Sequence, residues 1–176
     1  MALPICYLRE DGLYDIEAHL RDTKDYGYNN HSRGWIEKGE PLHGMWLRLT
    51  IDDSLVIQSC EAVTDHAPFD ICPSAAPNFA RLAGLKIGAG FNRAVNERVG
   101  GVHGCTHLRE VLAQMATVAF QTINPSRRRN AKPPAAQTIA APNKRPAIIG
   151  TCLAYAPDSP VVRKRWPEFA DKETAG

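Results

Sequence analysis

The sequence predicts an α+β domain: an antiparallel three-stranded meander followed by helices packed on one of its faces. Three observations carry this. Apolar and polar residues alternate in three stretches between Leu13 and Val63, the period of half-buried strands. After Asp65 the apolar spacing changes to three and four, the period of helices. After Asn124 the chain turns rich in Pro, Ala, Arg and Lys, a composition that cannot bury enough apolar surface to fold alone.

The first strand is expected over Leu13–Asp22, where Tyr14, Ile16, Ala18 and Leu20 alternate with Asp15, Glu17, His19 and Arg21. A long polar and aromatic loop follows over 25–44. In a compact domain a loop of that length is usually functional, here a lid. Met45–Ile51 and Leu55–Val63 supply the second and third strands, joined at Asp52-Asp53-Ser54 by a tight turn without the glycine that the tightest hairpins prefer. One face of the meander is packed and the other wet.

Pro73–Leu82 reads as a helix, with Phe79, Leu82 and Leu85 at helical spacing, and Gly90–Val99 as a second, ended by Gly100-Gly101. The strongest helix runs over Thr106–Ile123, its stripe formed by Leu108, Val111, Leu112, Met115, Val118 and Ala119. The domain is therefore expected over 1–124 and a linker over 125–147. A tail over 148–176 regains apolar residues and is expected to pack back on the domain.

The chain has 176 residues, 44% hydrophobic and 23% charged, with a formal net charge of +2, so a sizeable core is available and no polyanionic partner is demanded. The triplet Arg127-Arg128-Arg129 suits the C-terminal dipole of the preceding helix, and no nucleic-acid partner is expected. No apolar run approaches the roughly 18 residues of a membrane span. The N-terminus lacks the pattern of a signal peptide. Five cysteines without an export signal point to reduced thiols and a cytoplasmic protein.

Cys105 and His107 mark the chemistry. They stand at the mouth of the strongest helix, behind Gly100-Gly101 and Gly104, where free amides and the helix dipole favour a thiolate. A second cluster, Asp65, His66, Asp70 and Cys72, falls where strands hand over to helices. Cys105, His107, Asp65, His66 and Cys72 together offer the mixed donors that zinc or iron accepts. Glu17, His43 and His103 are the candidate acids and bases. The ordinary alternatives are a buried cysteine with a capping histidine, and an Asx-type turn capped by Asp65 and Asp70.

The runs Asp11–Lys24 and Pro41–Asp52, Gly104-Cys105-Thr106-His107-Leu108, Cys152 and Arg165-Trp166-Pro167 together resemble the bacterial proteins grouped as domain of unknown function 2889. The order of three strands, a ligand-bearing turn and a Cys/His pair opening the last helix is also similar to iron–sulfur cluster scaffold proteins of the IscU type. That second resemblance implies ligands at Asp65 or His66 and at Cys105, with His43 where the scaffold carries another cysteine. A mononuclear centre fits these residues better than a thiolate-held cluster.

The expected function is a metal-dependent enzyme in which zinc or iron acts as Lewis acid or activates water for a small-molecule substrate. The alternatives are a metal or iron–sulfur delivery protein without catalysis, and an enzyme with Cys105 as nucleophile. No membrane partner is expected, and a homo-oligomer is compatible with the sequence.

Overall fold

The computed structural model describes residues 2–130, 145–146 and 148–171. The chain divides into two compact units, Met1–Ala131 and Lys132–Gly176.

The first unit is α+β, built on a four-stranded antiparallel sheet. Its strands are β1 (Ala2–Leu8), β2 (Tyr14–Thr23), β5 (Pro41–Ile51) and β6 (Ile57–His66), in the order β1-β2-β5-β6. The three expected strands are present as β2, β5 and β6, and a fourth, β1, pairs along β2 from Ala2↔Leu20 to Leu8↔Tyr14. Pro4 gives no alternation signal but costs an edge strand little, since an outward N–H there has no ladder partner to lose. The expected loop over 25–44 is also structured. It holds a small hairpin of β3 (Tyr28–Asn30) and β4 (Gly34–Ile36), closed by the Gly39 amide donating to the Lys24 carbonyl at 2.9 Å.

The turn from β5 to β6 does without glycine. The Asp52 carboxylate accepts from the amides of Ser54 (2.8 Å) and Val56 (2.9 Å), and Leu55 takes the left-handed conformation with φ 66°. Such a backbone costs a non-glycine residue about 1–2 kcal/mol. Burial of the Leu55 side chain in the core offsets it.

One sheet face carries Ile16, Leu47, Leu49 and Cys60, which pack against the helices in a single apolar cluster. The expected helix at Pro73 is a 3-10 helix over Cys72–Leu82, with Pro77 inside it. A 3-10 helix has three residues per turn, so Ala76, Phe79 and Leu82 stack on one side, and all three are buried. Leu85 lies beyond it in an extended stretch, where its carbonyl accepts from the Ile57 amide at 2.8 Å. α1 (Phe91–Val99) buries Phe91, Val95 and Val99 at four-residue spacing. α2 (Thr106–Asn130) buries Leu108, Leu112, Met115 and Ile123 against the sheet and runs on to Asn130, so the expected linker begins with helix. The rest of that linker, over 131–144 and at 147, lies outside the described residues.

The second unit has its own small cluster of Ile149, Val162 and Trp166 around α3 (Pro160–Arg165). Ser159 caps α3, its hydroxyl oxygen accepting from the Val162 amide at 3.2 Å. Among the described residues no helix is long and apolar enough to cross a membrane.

Candidate functional site

The register of β2 on β5 sets Asp22 opposite His43 at the end of the helix-covered face, one step beyond Leu20↔Met45. β5 begins at Pro41 rather than at Met45, so His43 is a sheet residue with a fixed direction. It is buried. The Asp22 carboxylate accepts from the His43 backbone amide at 2.6 Å, and its two oxygens lie 3.0 and 3.1 Å from Nδ1 of the same residue.

α2 closes this end of the core. Gly104 is extended, and a Cβ there would stand 2.0 Å from the Val99 carbonyl oxygen, so only glycine lets the chain pass so close to the end of α1. Cys105 follows, its carbonyl accepting the Arg109 amide at 3.1 Å and its sulfur 4.0 Å from the Met45 sulfur. Two residues on, the His107 ring lies over His43 with centroids 3.8 Å apart and planes 32° apart. Two neighbouring positions on β5, His43 and Met45, thus meet two neighbouring positions at the mouth of α2.

The electrostatics of the three groups are linked. Partial burial pushes Asp22 up. The ring and amide of His43, with the charges of His43 and His107, outweigh that together and hold its carboxyl below the ordinary value. Partial burial and then the neighbouring His43 charge press the His107 imidazole below its ordinary value, and Asp22 restores only part. With an ionised carboxylate on Nδ1, His43 carries its proton on that nitrogen and leaves Nε2 as the basic atom.

The other expected site residues lie elsewhere. β5 and β6 shift register between Gly44↔His66 and Met45↔Thr64, which leaves Asp65 as the extra residue of a bulge. Asp65 consequently accepts from the Trp46 indole at 2.9 Å, on the open face of the sheet. His66 lies beside Gly44, whose Cβ would be 2.8 Å from the His66 ring. Gly44 falls between inward His43 and Met45, so His66 too is on the open face. Glu17 is on that face as well, accepting from Arg48 at 2.7 Å. Cys72 is half-buried at the start of the 3-10 helix, and His103 is exposed, its carbonyl accepting from Asn78 at 2.9 Å. Among the described residues no three His, Cys, Asp or Glu form a group that could hold a metal ion. The five expected ligands are therefore not brought together in one group.

Asp22 is the member of the cluster that the sequence reading passed over. A signal was there. The inward series Tyr14, Ile16, Ala18, Leu20 continues by alternation to Asp22, and a carboxylate ending an apolar row needs a partner.

Residues 5–121 match the family described as Protein of unknown function (DUF2889). The chain belongs to this family. No curated protein and no solved structure matches it. The DUF2889 match covers β1 from residue 5, the whole of β2, β5, β6 and α1, and α2 up to residue 121, and so includes Asp22, His43, Cys105 and His107.

Proposed function

We propose that this protein is an enzyme that moves a proton on a small organic substrate, with His43 as the general acid–base. One observation carries the reading: a buried histidine whose ring and amide are both held by Asp22, with a second imidazole stacked on it. Asp22 sets the tautomer and orientation of His43, as a carboxylate does in other His-dependent sites. His107, whose pKa partial burial and the His43 charge press below the ordinary value, is the second proton acceptor. The β3–β4 hairpin leaves the sheet just after Asp22 and returns just before His43, and the segment carries the exposed aromatic side chains Tyr26 and Trp35. The metal-dependent reading would need ligands that the bulge at Asp65 sends to the other face.

Two measurements test this. Nitrogen-15 spectra of the histidine rings should show the proton on Nδ1 of His43 in the wild type and a mixture of tautomers in Asp22→Asn. In a screen of small esters, lactones and keto acids, any turnover should be lost in His43→Ala and fall by about 10⁴ in Asp22→Asn. An Nε2-protonated His43 in the wild type, or turnover indifferent to both substitutions, would sink the proposal.

A further inference from the structure

A cavity of about 330 Å³ lies between α1 and α2 and shares no lining residue with the Asp22–His43–His107 cluster. Its volume is at the small end of the range for ligand sites. The floor is apolar, formed by the buried side chains of Phe91, Val95 and Leu112, and Asn96, Arg109 and Glu110 stand at its polar side.

The charges there are unbalanced in an informative way. Arg109 is half-buried, its one bond is to the Asn96 amide oxygen at 2.8 Å, and no carboxylate lies within ion-pair distance among the described residues. It also sits at the positive end of a 25-residue helix whose first turn holds no acidic residue, where a cation is disfavoured. Glu110, exposed on the same cavity, likewise has no cation within ion-pair distance among the described residues. Adjacent positions on a helix point about 100° apart, so Arg109 and Glu110 cannot satisfy each other. They offer a cation and an anion to whatever occupies the space between.

We infer that this cavity binds an α-amino acid with an apolar side chain, its carboxylate on Arg109, its ammonium on Glu110 and its side chain over Phe91, Val95 and Leu112. A simple organic anion would leave Glu110 opposing it, and a simple amine would leave Arg109 unpaired. A zwitterion answers both. The inference does not rest on the acid–base reading, since it uses none of those residues.

Titration calorimetry on the full chain, with L-leucine as the probe, tests it. One-site binding is expected, weakened at least about tenfold in Arg109→Gln and in Glu110→Gln, each of which removes one charge-assisted contact. The same loss is expected for the two half-ligands, 4-methylpentanoate without the ammonium and 3-methylbutylamine without the carboxylate. Ala113→Trp, at an exposed position of the lining, should fill the cavity and abolish binding without touching the core. His43→Ala should bind as the wild type does, which separates this site from the proposed catalytic one. Absence of binding, half-ligands as good as leucine, or indifference to either Gln substitution overturns the inference.

Discussion

Gly104→Ala puts the packing beneath the candidate site to a direct test. The added methyl carbon would lie 2.0 Å from the Val99 carbonyl oxygen and 2.9 Å from its carbonyl carbon, where ordinary contact begins at 3.4 Å. The shortfall is 3.4 − 2.0 = 1.4 Å, and the obstacle is backbone of a fully buried residue, with no flexible side chain to swing aside. Either the end of α1 or the start of α2 has to move. Overpacking of this kind costs about 3 kcal/mol at the upper end of its usual range. At about 2–4 °C per kcal/mol for a chain of this size, the melting temperature should drop by roughly 6–12 °C. Gly88→Ala is the control, because nothing lies within 4 Å of a Cβ there and the backbone is not left-handed. It should leave stability within about 0.5 kcal/mol. Urea unfolding gives both free energies, and ring proton shifts of His43 and His107 report whether their contact survives. If Gly104→Ala unfolds within about 0.5 kcal/mol of the wild type and keeps those shifts, the close passage of Gly104 over Val99 is not a requirement of the fold.

Because the His107 pKa is depressed in the folded chain, the unfolded chain binds the extra proton first as pH falls, and stability declines as pH drops through about 6.5. His107→Gln should flatten the slope of the urea midpoint between about pH 7.5 and pH 5.5, and an unchanged slope would refute the assignment. Asp22, whose pKa is lowered, adds stability that is lost only as pH falls below the usual carboxylate range, outside that window. Met115, fully buried on the sheet side of α2, should cost about 3 kcal/mol as Ala and under about 1.5 kcal/mol as Leu, measured by urea unfolding. Equal losses for the two would mean that the site collapses around the smaller residue.

Period-two patterning made β2, β5 and β6 readable in the sequence because one face of the sheet is buried and the other wet. β1 was not readable. Leu3-Pro4-Ile5-Cys6 has no alternation, and its place is supplied by pairing with β2 rather than by local preference. The segment at Pro73 showed Phe79 and Leu82 as buried but not Ala76, and its helix is 3-10 because Ala76, Phe79 and Leu82 suit a period of three better than 3.6. In the site, Cys105 and His107 stood where the Gly-rich approach to α2 indicated, and His43 faced inward. Asp65 and His66 did not join them. A bulge adds one residue to one strand, and nothing in the local composition announces it, yet it decides which face the following side chain occupies. Alternation marked Asp22 as inward, but its pairing with His43, 21 residues away in sequence, had no local signal.

The β3–β4 hairpin leaves and rejoins the sheet at neighbouring points. Gly39 closes on Lys24, the Arg33 guanidinium donates to the Pro41 carbonyl at 2.8 Å, and Ile36 is buried without belonging to either apolar cluster of the described residues. It is an excursion whose two ends are already tied together, so its length is only weakly coupled to the ladder beneath it, while Arg33 and Ile36 anchor it. Lengthening such a loop adds little closure entropy, about 0.6 kcal/mol per doubling. A hairpin exchanged between these tied ends should therefore leave Asp22 opposite His43 in register.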